Sequence, residues 1–91
     1  MNAKDLFDSL QNEIAEYNQA FAAMKKTQDA FVSVANDDSA TDERCSAASD
    51  NQRNAKNEWA RLDQAMWVRA EKAVGRGREL GAFWDMVRKA R

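Results

Sequence analysis

The sequence predicts an all-α fold: a long, coiled-coil-like antiparallel helical hairpin with a short third helix at its carboxy-terminal end. Three observations predict it. Proline is absent and the only glycines are Gly75, Gly77 and Gly81, so nothing breaks a helix in the first 74 residues. No stretch alternates apolar and polar residues with the period of two that a strand requires. Two long segments instead carry apolar residues at alternating spacings of three and four, and the two rows match when one is folded back on the other.

The first helix is expected from about residue 3 to residue 35. Its stripe runs Phe7, Leu10, Ile14, Tyr17, Phe21, Met24, Gln28, Phe31, Ala35, a heptad pattern with Gln28 as its polar member. At about 1.5 Å per residue such a helix is roughly 50 Å long, which suits a rod better than a compact bundle. Residues 36–41 (Asn-Asp-Asp-Ser-Ala-Thr) form the turn, because Asn, Asp and Ser side chains compete with the helix for backbone hydrogen bonds. Ser39 or Thr41 can cap the second helix, with Asp42 and Glu43 in its first turn. Ser49-Asp50-Asn51-Gln52 also reads as a capping box and offers a later start.

The second helix spans about 42–74, with a stripe of Cys45, Ala48, Gln52, Ala55, Trp59, Leu62, Met66, Arg69, Ala73. Folding the chain about residue 40 pairs positions whose numbers total about 80: Phe31 with Ala48, Met24 with Ala55, Phe21 with Trp59, Tyr17 with Leu62, Ile14 with Met66, Leu10 with Ala70, Phe7 with Ala73. The same register sets Gln28 against Gln52, where paired amides would satisfy each other inside a seam. Gly75-Arg76-Gly77 then supplies a left-handed cap and a hinge. A third helix follows over about 78–89, with Leu80, Phe83, Trp84 and Val87 on one face. Trp67, Ala70 and Val74 form a second stripe on the second helix, onto which the third is expected to fold, together with the Leu6–Phe7 end.

Ninety-one residues make one domain at most, here residues 1–91, with little core to spare. Disulfides and metals, the usual supports of small chains, are not expected. Cys45 is the single cysteine and histidine is absent. Cys45 reads as a small apolar filler near a helix end. No apolar run approaches a membrane span, and the opening Met1-Asn2-Ala3-Lys4-Asp5 has no basic-then-apolar pattern, so a cytoplasmic protein without a membrane partner is expected.

Chemistry is nearly absent. Without histidine there is no ordinary acid–base residue and no usual partner for a nucleophilic Ser or Cys. Gly75-Arg76-Gly77 lacks the strand–turn–helix setting of a phosphate loop. Asp37 and Asp38 sit in a solvated turn where nothing raises a carboxyl pKa. No enzyme activity, cofactor or metal site is expected.

Charge is segregated: residues 1–50 carry net −6 and residues 67–91 net +4, against −1 for the chain. Helix-dipole complementarity explains only part of this. Two sets of residues are therefore candidates for partner contact. Arg76, Arg78, Trp84, Arg88, Lys89 and Arg91 offer planar cations and an aromatic face to an acidic partner or to nucleic acid. Asp37, Asp38, Asp42 and Glu43 offer an acidic surface that could engage a basic partner or imitate nucleic-acid phosphates, as a phage-type inhibitor of host nucleic-acid machinery would. Seven bases against three acids is a weak basic patch, so nucleic acid is not the favoured partner.

Alanines 15, 20, 22, 23 and 30 leave a smooth second face on the first helix, and three tryptophans exceed what one seam hides. Self-association is expected, most simply as a dimer with a four-helix core. The leading expectation is a protein that regulates, inhibits or adapts through protein–protein contact. Hairpins serve many roles, and fold alone does not choose among them.

Overall fold

The computed structural model describes all 91 residues and contains helices only: α1 (Ala3–Ser9), α2 (Gln11–Ala35), α3 (Asp42–Val74) and α4 (Arg78–Lys89). The long helices α2 and α3 run antiparallel and make a rod of 54 × 21 × 20 Å. The turn, the 42–74 helix, the hinge and the 78–89 helix lie where the residue pattern places them. Thr41 is the N-cap of α3, its hydroxyl accepting from Arg44 N–H at 3.2 Å, so the later start at Ser49 is not used. Gly75 ends α3 at φ +77°, a conformation that costs an L side chain about 1 kcal/mol or more.

The expected first helix is two helices. It breaks at Leu10 (φ −112°, ψ 27°), where the Leu10 N–H is shared between Leu6 O and Phe7 O and side chains add a second donor to each carbonyl. Ser9 Oγ donates to Leu6 O at 2.9 Å and Gln11 Nε2 donates to Phe7 O at 2.8 Å, the carbonyl that an unbroken helix would offer to the Gln11 N–H. The break lets α1, with Ala3 and Leu6 buried, pack on α4 while Leu10, Ile14 and Tyr17 stay in the hairpin seam. Ala3 N–H, at the start of α1, donates to the Glu79 carboxylate in the first turn of α4 at 2.6 Å.

The seam register is the expected one. Phe21 and Trp59 have ring centroids 6.2 Å apart, Tyr17 donates to Asp63 at 2.7 Å, and Arg69 pairs with Glu13 at 3.2 Å. One layer differs. Gln28 is exposed, and Thr27 takes the half-buried place instead. The reason is polar satisfaction: Thr27 Oγ1 donates within its own helix, to Ala23 O at 2.9 Å or Met24 O at 3.0 Å. Its methyl can therefore face the partner, whereas a Gln amide would need a bond across the seam.

Burial is concentrated at one end. All 11 buried residues are Ala3, Leu6, Leu10, Ile14, Tyr17, Met66, Ala70, Leu80, Phe83, Trp84 and Val87. They join α1, the start of α2, the end of α3 and α4 into one base. Between residues 18 and 65 no side chain is buried, and Phe21, Met24, Phe31 and Trp59 are only half covered. Two helices alone leave both sides of their shared seam open.

Candidate functional site

α4 folds back onto the base, as its amphipathic pattern implies. Trp84 lies 4.7 Å from Trp67 and 5.7 Å from Tyr17 between ring centroids, with Phe83 at 5.6 Å. The expected stripe on α3 receives it, with Ala70 wholly buried and Val74 half buried.

This docking divides the six candidate contact residues. Trp84 is 4 % exposed and presents no face to a partner, so the stacking role expected of it has no surface to act from. Arg91 turns inward. Its guanidinium lies 3.7 Å from the centroid of the Phe21 ring, and its nitrogens donate to Asn18 Oδ1 at 3.2 Å and Tyr17 Oη at 3.3 Å. Aromatic faces attract a cation through their quadrupole, so this arginine clasps the chain end to the hairpin. Arg76 pairs with Glu71 at 3.4 Å and Arg88 with Asp85 at 3.3 Å, both in solvent, where such pairs stabilise by about 1 kcal/mol or less. Of the five cations only Arg78 and Lys89 have neither an ionic nor a hydrogen-bonding side-chain partner, and eleven residues of helix, roughly 16 Å, separate them. The six do not converge on one site.

The acidic set is a turn with one structural member. Asp37 Oδ1 accepts from the Ser39 N–H at 2.9 Å and from the Ser39 hydroxyl at 2.7 Å, and Arg44 stands 3.7 Å from its other oxygen. The Ser39 hydroxyl, helped by the Ser39 N–H, holds the Asp37 carboxyl below the usual carboxylate range. Asp38, Asp42 and Glu43 are exposed, with no cation of the chain within ion-pair distance.

The polar centre of the base went unnoticed in the sequence. Tyr17, 2 % exposed, donates to Asp63 and accepts from Arg91, linking α2, α3 and the chain end. Its position in the heptad stripe hid the hydroxyl. Burial, with Asp63 beside it, pushes the phenol pKa up to about 12 from about 10. The folded value lies above the unfolded one, so the stability this group contributes is complete below about pH 10 and is lost as pH rises through about 12. Tyr17 is the only tyrosine, so phenolate absorbance reports it alone. A titration midpoint near 12 in the folded chain and near 10 in denaturant is expected. A folded midpoint near 10 would place the phenol in water.

Beside this centre an open groove of about 700 Å³ runs along α2, lined by Ile14, Asn18, Phe21, Ala22, Lys25 and the Ala90–Arg91 end. Its exposed wall is mostly apolar and includes no Asp or Glu side chain. No three Cys, Asp or Glu side chains of the chain converge as metal ligands would. Cys45 is a half-buried free thiol in the first turn of α3. No helix is long and apolar enough to cross a membrane. The largest exposed apolar side chains are Met1, Val32, Trp67 and Val68, and Val32, 50 % exposed, lies in the last turn of α2, on the unburied part of the rod. No protein-family model, curated protein or solved structure matches this chain.

Proposed function

We propose that this chain is a non-enzymatic, cytoplasmic protein that works through protein–protein contact as a regulator, inhibitor or adaptor. The observation that supports this reading is the asymmetry of burial. One end of the molecule holds the whole core, and from residue 18 to residue 65 the rod carries a half-covered apolar seam with no buried residue. A base that is closed and a rod that is open suit an anchor and a presenting arm. Catalysis needs a group of matched pKa beside a substrate cleft. The one strongly shifted group here is a tyrosine tied to Asp63 and Arg91 within the core. Nucleic-acid binding through the carboxy-terminal segment draws less support, because Arg76, Arg88 and Arg91 are engaged within the chain.

The test is photo-crosslinking in native extract from two positions, Val32 on the rod and Lys4 at the base, whose side chain is 74 % exposed. With the chain kept dilute enough in the extract to be monomeric, discrete adducts to other proteins from position 32, absent from position 4, are the expected outcome. No adduct to any other protein from either position overturns the regulatory reading.

A further inference from the structure

We infer that the open face of the rod is covered by a second copy of this chain, in an antiparallel dimer whose acidic turns overlap. The inference rests on the protein-contact reading above and names its first partner.

The face is defined by α4. Ala90 and Arg91 line one groove with Asn18, Ala22 and Lys25, and Trp84 stacks on Trp67, so α4 occupies one broad side of the hairpin and ends beside Lys25. Helical spacing carries the same side onward towards the turn. On α2 the row continues through Gln28 to Val32, and on α3 it runs back from Trp67 through Ala60, Lys56 and Arg53 to Ser49. Val32, 50 % exposed, is the apolar point of this surface, with Ala60 and Ser49 small beside it and the long side chains of Lys25, Gln28, Arg53 and Lys56 around it.

Charge selects the occupant. Residues 36–50 carry Asp37, Asp38, Asp42, Glu43 and Asp50 against Arg44 alone, a net −4. About fifteen residues down the rod, roughly 22 Å, stand Lys25 and Lys56, exposed and without an ionic partner. One molecule thus carries both halves of a complementary pattern and cannot bring them together itself. Two copies can. A twofold axis beside Val32, halfway between turn and lysines, sets each acidic turn against Lys25 and Lys56 of the other copy, both contacts forming at once. The two Val32 side chains then meet at the axis. A parallel pair would stack one −4 turn on the other and is disfavoured. Such an interface, made mainly of charged and polar side chains, gives a modest affinity that salt weakens.

The experiment is sedimentation equilibrium of the full chain at about 0.05 M and about 1 M salt, together with two exposed double variants. The wild type is expected to dimerise at low salt, with affinity falling tenfold or more at high salt. Lys25→Glu with Lys56→Glu, and separately Asp38→Lys with Asp42→Lys, are each expected to be monomeric at unchanged helicity. Mixed together, these two variants are expected to form a heterodimer that neither forms alone, weaker than the wild type because only one of its two contacts keeps the full −4 turn against both lysines. Bismaleimide cross-linking of Val32→Cys in a Cys45→Ser background provides a readout that keeps every native charge, and a linked dimer at low salt is expected.

A wild type that stays monomeric and uncross-linked at low salt overturns the inference while leaving the face to another protein. A dimer indifferent to both charge reversals also overturns it. Conversely, a dimer as described with no adduct to any other protein in extract sustains the inference and removes the regulatory reading.

Discussion

Phe83→Ala is expected to destabilise the chain by about 3–5 kcal/mol, the cost of deleting a wholly buried aromatic side chain and leaving a cavity. Phe83 is 0 % exposed, and it sits where α4 meets the rest of an eleven-residue core. Whole domains are stable by only about 5–15 kcal/mol, and a chain of this size lies low in that range. The loss is therefore a large part of the total. Undocking of α4 also uncovers Trp84 and Trp67, so tryptophan fluorescence should shift to the red before the hairpin loses its helical circular dichroism. Urea titration followed by both signals measures the effect. A cost below about 1 kcal/mol would show that α4 does not hold its docked position in solution.

The second large effect is a contrast between two identical substitutions on one seam. Met66→Ala removes a side chain 5 % exposed at the base and is expected to cost about 2–5 kcal/mol. Met24→Ala removes the same atoms from the half-covered rod and is expected to cost about 1 kcal/mol or less, because much of that side chain already touches water. Urea titrations of dilute protein at high salt measure the two without interference from self-association. Equal costs would mean that the rod is as well covered as the base, and the asymmetry on which the functional reading stands would be gone.

The sequence was most informative where local rules decide. Gly75 is the residue whose φ of +77° a non-glycine side chain resists, so the end of α3 was legible from its type alone. Thr41 against Ser49 was an open choice of caps. Asp42 and Glu43 follow Thr41 into a favourable first turn, and the structure uses it. The heptad rows placed Phe21 on Trp59 because each row independently repeats at the spacing that keeps one face inward.

The candidate site was less legible. Trp84 and Arg91 read as an exposed ring and a free cation. Whether a residue on an amphipathic helix faces solvent depends on which side the neighbouring element takes, and that element is distant in sequence. Ser9 was the one signal of the break at Leu10: a hydroxyl within a helical run can bond back to a carbonyl of the preceding turn.

By itself, then, the sequence determined the helical class, the limits of the turn and hinge, the pairing of the long helices and the segregation of charge. Each of these follows from residues within a few turns of one another, or from two periodic rows that must coincide. Tertiary structure decided the break at Leu10, the outward turn of Gln28, the burial of Trp84, the inward clasp of Arg91 and the gathering of the whole core at one end. Gln28 yields its place to Thr27, whose hydroxyl is satisfied within α2; the others depend on where a twelve-residue helix lands, and its landing is set by the sum of many weak contacts among α1, α3 and α4.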